Sequence, residues 1–238
     1  MQAYTFNISP FIYSSLNSVI LPRRKPIAHF PIGRSPVHIN YRLHGSIPVA
    51  ERNRIFQERT AAVREVKATL SDLPDPLYEA SLAMEMDRIN QQFESAVEQA
   101  LHCARTGPMH LQQPEIRETV IDSWKYLHAR KEIELHAVCA MSNHVHLIVS
   151  STSAEESLDI GWLMNRHKTY TGKRCNQLLS RTGQAFWAPK YFDRTIRDGK
   201  FLIAMWYVLN NPVKAGLVGE WREWPGTFVN PEYLSHFI

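Results

Sequence analysis

The chain has 238 residues, 44% hydrophobic and 21% charged, which suits one generous soluble domain or one domain carrying an insertion. It contains no apolar run of about eighteen residues, which excludes a membrane-spanning helix, and Met1 to Ile20, broken by Asn7, Pro10 and several serines with Arg23-Arg24-Lys25 behind rather than ahead of it, is a poor secretory signal. Net charge is +4, and Cys103, Cys139 and Cys175 share no disulfide or metal spacing, so reduced thiols in a cytoplasmic protein with no membrane partner are expected.

Residues 1–35 read as an irregular arm interrupted by Pro10, Pro22, Pro26 and Pro31. From Val37 the pattern alternates, with Val37, Ile39, Tyr41 and Leu43 on one side and His38, Asn40, Arg42 and His44 on the other. This predicts a half-buried strand that ends at Gly45-Ser46 and Pro48. Ala50 to Leu70 has a helical period, Asp72 to Pro76 is a break, and a second helix follows over about Leu77 to Arg105. In it Leu82, Met86, Ile89, Phe93, Val97 and Leu101 form one apolar seam, as expected of a helical hairpin. Gly107-Pro108 ends that insertion, about 50–105, and Pro114 opens a further helix with Ile116, Val120, Trp124 and Leu127 on one face.

Two strands come next, Ile133 to Met141 and His144 to Ser150, joined by Ser142-Asn143 as a hairpin. Ser153-Ala154-Glu155-Glu156 fits a capping box and predicts a helix through Trp162 and Leu163 that Gly172 interrupts. Tyr191 to Arg197 reads as a strand and Phe201 to Asn210 as a helix on which Ile203, Tyr207 and Asn211 share a face. Residues 231–238 form a tail. The order predicts an α+β fold, a mainly antiparallel sheet with helices packed on it.

The positive charge is concentrated. Gly161 to Lys200 holds nine Lys/Arg against Asp193 and Asp198, a local +7, while the remainder stands at −3. A basic segment beside a nucleophile suits a polyanionic substrate. Lys168, Lys173, Arg174, Arg194 and Arg197 are candidates for phosphates, and Trp187, Tyr191 or Phe192 for stacking on unpaired bases, with core packing the plainer role of the aromatics.

Residues two apart on a strand share a face, so His144 and His146 project together while Val145, Leu147 and Val149 line the other side. Two adjacent imidazoles can ligate a metal, although a histidine pair satisfied by ordinary hydrogen bonds is commoner. Tyr207 is a candidate nucleophile, with Tyr170 and Tyr191 as rivals. Asn211 lies four residues on, able to place an oxygen beside the imidazoles or simply to cap the helix that Pro212 begins. Oxygen plus imidazole ligation suits Mg2+ or Mn2+.

Met141-Ser142-Asn143-His144-Val145-His146-Leu147-Ile148-Val149 resembles the histidine–hydrophobe–histidine signature of the single-tyrosine transposases. Tyr207-Val208-Leu209-Asn210-Asn211-Pro212-Val213-Lys214-Ala215-Gly216-Leu217-Val218 resembles the tyrosine-helix motif of their REP-associated branch. Asparagine rather than glutamine follows the tyrosine by four, and Phe186-Trp187, Tyr191 to Arg194 and Ile196 to Asp198 match the spacer. The similarity covers about residues 36–49 and 108–230.

The resemblance implies a ferredoxin-like antiparallel sheet interrupted by the helical insertion, and a divalent metal (Mg2+ or Mn2+) on His144, His146 and Asn211. Tyr207 would be the nucleophile, giving a 5′-phosphotyrosine link to single-stranded or hairpin DNA. The resemblance allows a monomer or a homodimer. An alternative within the same fold is a DNA-hairpin-binding protein without catalysis.

Overall fold

The computed structural model describes residues 31–32, 35–104, 106–153 and 158–237. Most of the expected N-terminal arm and the Ala154 to Glu156 part of the expected capping box lie outside them.

Five antiparallel strands make the main sheet: β2 (Val37–Leu43), β3 (Glu134–Ala140), β4 (His144–Ser150), β6 (Trp187–Thr195) and β7 (Thr227–Val229), in the order β6-β2-β4-β3-β7. Two short strands, β1 (Pro31–Ile32) and β5 (Leu158–Asp159), pair separately. The helices are α1 (Val49–Leu70), α2 (Asp75–His102), α3 (Pro114–Ala129), α4 (Ile160–Leu178), α5 (Phe201–Leu209) and α6 (Asn211–Lys214). Four of the strands, β2, β3, β4 and β6, taken with α3 and α4, reproduce the ferredoxin-like arrangement, with α1 and α2 inserted after the first strand. No helix among the described residues is long and apolar enough to cross a membrane.

Pairing fixes which residues share a face, because directly opposed residues in an antiparallel ladder point the same way. Tyr41 opposes Val145, Ile39 opposes Leu147 and Val37 opposes Val149. These residues pack with Ile116, Val120 and Trp124 of α3 and Leu163, Met164 and Cys175 of α4. On the opposite face Asn40 stands against His146, Arg42 against His144, and Cys139 of β3 against His146. That face is covered by α5, through Ala204, Met205, Val208 and Leu209 packed with Ala137, Cys139 and Ile148. The alternation in β2 and β4 therefore separates an apolar core on one side from a polar chamber on the other.

The apolar side also contains a satisfied polar chain. Trp124 Nε1 donates to the Tyr41 hydroxyl over 2.9 Å, so that hydroxyl donates onward to His167 Nε2 over 2.8 Å. His167 then carries its proton on Nδ1, 3.0 Å from Ser123 Oγ. Burial holds this imidazole neutral by pushing its pKa well below the ordinary value.

Three local expectations change. The helix expected from the Ser153 box begins at Ile160, because the Asp159 carboxylate accepts the Trp162 amide at 3.1 Å and caps it there. Gly172 does not interrupt α4; it is buried where Phe186 and Trp187 pack, 3.6–3.7 Å from where a Cβ would stand. The strand expected from Tyr191 starts at Trp187, ends at Thr195 and pairs along β2.

Gly226 is the tightest position. A Cβ there would lie 2.2 Å from the Ala140 carbonyl oxygen and 2.6 Å from Trp224 Nε1, the donor that itself bonds that oxygen at 2.8 Å. The clash is with backbone, so it cannot relax by a rotamer change. Gly226→Ala should cost about 3 kcal/mol of stability, read as a lower urea midpoint; an unchanged midpoint would refute the close approach.

Candidate active site

His144 and His146 are both fully enclosed, with Nε2 atoms 3.1 Å apart. Their orientation is set from outside. The Asn143 amide donates through Nδ2 to the Leu101 carbonyl at 3.0 Å, which leaves its Oδ1 to accept the His144 Nδ1 proton at 2.7 Å. His144 Nε2 must then present a lone pair to His146. On its other side His146 Nδ1 lies 3.1 Å from His38 Nε2, and the two rings stack at 5.3 Å. Burial, the largest cause, pushes the pKa of His144 and His146 well below the ordinary value and that of His38 to about 3, so these imidazoles are neutral.

A third imidazole comes from the insertion. His102 closes α2, and one of its ring nitrogens lies within 4.8 Å of a nitrogen of His144 and of His146. Its Nε2 is buried and makes no hydrogen bond, while Glu98 Oε1 lies 3.9 Å away.

Tyr207, on α5, faces this cluster. Its ring centroid is 6.0 Å from that of His146 and 5.8 Å from that of His38, and the Lys214 ammonium sits 3.8 Å over the ring. The hydroxyl donates to Glu98 of α2. Burial first, and then the Glu98 charge, raises the Tyr207 pKa well above that of a free phenol, so the resting residue is protonated. One turn earlier on α2, Glu94 pairs with Arg194; burial lifts its pKa to about 7 against the pull of the guanidinium. A cavity of about 240 Å3 opens here, lined by His38, Asn40, Glu94, Glu98, Arg194 and Tyr207.

The expected continuity of Tyr207 and Asn211 on one helix is modified. α5 ends at Leu209, Asn210 takes the N-cap position and Asn211 begins α6. The Asn211 amide still reaches back, donating to the Tyr207 carbonyl at 2.9 Å. Its Oδ1 is buried without a hydrogen-bond partner.

The residues present fit a divalent ion. A 3.1 Å separation is what two nitrogens about 2.1 Å from a common ion make at an angle of about 95°. Neutral imidazoles are the ligating form, the partners of Nδ1 fix the ring orientation, and the unpaired Asn211 oxygen is an available acceptor.

The other candidates scatter. Lys168 is turned inward, donating to the Ala188 and Pro189 carbonyls at 2.6 and 3.1 Å, and burial lowers its pKa to about 8. Tyr191 is buried on the Tyr41 side of the sheet, away from the imidazoles. Lys173 is exposed and lines a groove of about 650 Å3 with Lys168, Gly172, Trp187 and Tyr191. Arg174 and Tyr170 face a different groove, between α3 and α4, on the sheet face opposite His144 and His146. Arg197 is exposed beyond the end of β6.

His102, Glu98, Glu94 and His38 are absent from the sequence-based candidates. Glu94, Glu98 and His102 recur at intervals of four beside the apolar Phe93, Val97 and Leu101, and that second stripe was the available signal. His38 stood on the polar side of the first strand.

Residues 108–211, which hold both histidines, the tyrosine and Asn211, match the family model described as transposase IS200 like. A Haemophilus influenzae protein named as a REP-associated tyrosine transposase is 27% identical over 100 residues, 39% of this chain; the chain spans 56% of that relative's length. Among solved structures, a REP-associated tyrosine transposase bound to a REP hairpin aligns at 15% identity and a TM-score of 0.46, covering 86% of this chain and 82% of that one. A Deinococcus radiodurans protein described as a transposase aligns at 12% identity and 0.36, covering 81% and 98%. The segment that carries the paired histidines and the tyrosine is thus similar to the IS200-like transposases, and part of the chain is similar to a protein named as a REP-associated tyrosine transposase.

Proposed function

We propose that the protein is a metal-dependent endonuclease and strand transferase acting on single-stranded DNA at the foot of a hairpin, through a 5′-phosphotyrosine intermediate. The observation that carries this reading is the convergence, within one chain, of Tyr207 with a buried, neutral histidine pair. One protomer thus supplies the nucleophile and the ligands.

In the proposed reaction the Tyr207 oxygen attacks the scissile phosphorus while its proton passes to Glu98, which already accepts it in the resting site. The bond to the 3′ oxygen breaks, that oxygen takes a proton from water, and the phosphate stays esterified to tyrosine. A free 3′-hydroxyl can later reverse the step and join strands. His144, His146 and Asn211 would hold the ion, which supplies positive charge to the phosphate when bound. Lys214, over the Tyr207 ring, favours a developing phenolate.

DNA binding would draw on the exposed cations. Lys173→Ala should reduce the slope of log affinity against log salt by about 1, whereas Arg174→Ala, in the α3–α4 groove, should leave it unchanged. The reverse pattern would move the DNA path from the α4–β6 groove to the α3–α4 groove. Incubating the protein with labelled hairpin DNA and Mn2+ tests the whole reading. Cleavage that EDTA abolishes is expected, and tight binding without cleavage would favour a non-catalytic hairpin binder.

A further inference from the structure

We infer that His102 is a ligand of the metal centre, so that the ion joins the sheet to the α1–α2 hairpin and latches the insertion over the nucleophile; this rests on the proposed metal-dependent reading. His102 Nε2 is buried and makes no hydrogen bond, and one ring nitrogen of His102 lies within 4.8 Å of a nitrogen of His144 and of His146. A buried imidazole nitrogen without a partner is costly unless something else occupies it.

The last turn of α2 is held in place for this role. The Leu101 carbonyl accepts from Asn143, the same residue that orients His144, so one amide sets the spacing between the two elements. Val97 and Leu101 pack with Ile47 and Ile55, closing the base of the hairpin against the body. Drawn in by a side-chain movement, His102 would complete a three-imidazole set, with the unpartnered Asn211 oxygen as a further candidate ligand.

Two consequences follow from that donor set. Three imidazoles favour nitrogen-seeking ions of the Mn2+ to Zn2+ series over Mg2+, which prefers oxygen and water. The ion also fixes α2 where Glu98 meets Tyr207 and Glu94 meets Arg194. The insertion is then part of the catalytic chamber, and metal loading determines whether it is closed.

Calorimetric titration of the full chain with Mn2+ and with Mg2+, paired with amide hydrogen exchange over residues 75–102, tests this. The wild type should bind Mn2+ more tightly than Mg2+, and Mn2+ should slow exchange across α2. His102→Ala should weaken Mn2+ binding at least tenfold and remove that protection. Unchanged Mn2+ affinity in His102→Ala, with binding lost in His144→Ala, would overturn the latch while leaving the histidine-pair reading intact. Wild-type binding without any protection of α2 would overturn it as well, independently of whether the variant folds. Absence of binding by the wild type would overturn both.

Discussion

Tyr207→Phe should abolish cleavage, lowering the rate by at least about 10⁴-fold, or roughly 5.5 kcal/mol of transition-state stabilisation. Affinity for the hairpin should stay within about twofold. The substitution removes one oxygen and keeps the ring that packs beside His146 and His38 and beneath Lys214. Its structural cost is the hydrogen bond to Glu98, about 1–2 kcal/mol including the acceptor left without a partner. That is too small to account for the expected loss of rate, so cleavage and stability separate cleanly when both are measured. A variant that cuts at the wild-type rate would remove Tyr207 as the nucleophile. Tyr170 would be a poor replacement because it lines the groove on the opposite face of the sheet.

Glu98→Gln is the second large effect, and it sets two influences against each other. Glutamine can still accept the Tyr207 hydrogen bond, but it cannot take the proton. Removing the carboxylate charge also removes one contribution that raises the Tyr207 pKa. Burial is the largest cause of that raised pKa and it remains, so the phenol stays protonated near neutral pH. Loss of the acceptor therefore dominates, and the rate should fall by about 10²–10³-fold. The sign of the pH dependence follows. Raising pH should restore the variant more steeply than it speeds the wild type, since ionisation of the phenol then replaces transfer to Glu98. A pH–rate profile parallel to wild type would instead make Glu98 a packing residue.

The half of the site that lies in the sheet was readable from sequence because a strand imposes a period of two. His144 and His146 had to share a face once Val145, Leu147 and Val149 were assigned to the core, and the register with β2 places them so. Tyr207 was reachable through its spacing to Asn211, although the helix breaks at Asn210 and the contact survives only as a side-chain bond to a carbonyl. The insertion was different. Its apolar seam announced a hairpin, but nothing local stated against what the hairpin would close. Glu98 and Tyr207 are 109 residues apart, and Asn143 and Leu101 are 42 apart, so those contacts depend on tertiary closure that no short window carries. Lys168 shows the converse. Its charge fitted a DNA-binding segment, yet the fold turns the ammonium onto two carbonyls of its own chain.

The central event is attack by the Tyr207 phenol on a phosphate held beside the buried histidines. Mass spectrometry of the protein after reaction with hairpin DNA and Mn2+ reads that event directly. A peptide carrying a 5′-linked nucleotide on Tyr207 is the result expected. Cleaved DNA bearing a free 5′-phosphate, with no tyrosine modified at any time point, would contradict it.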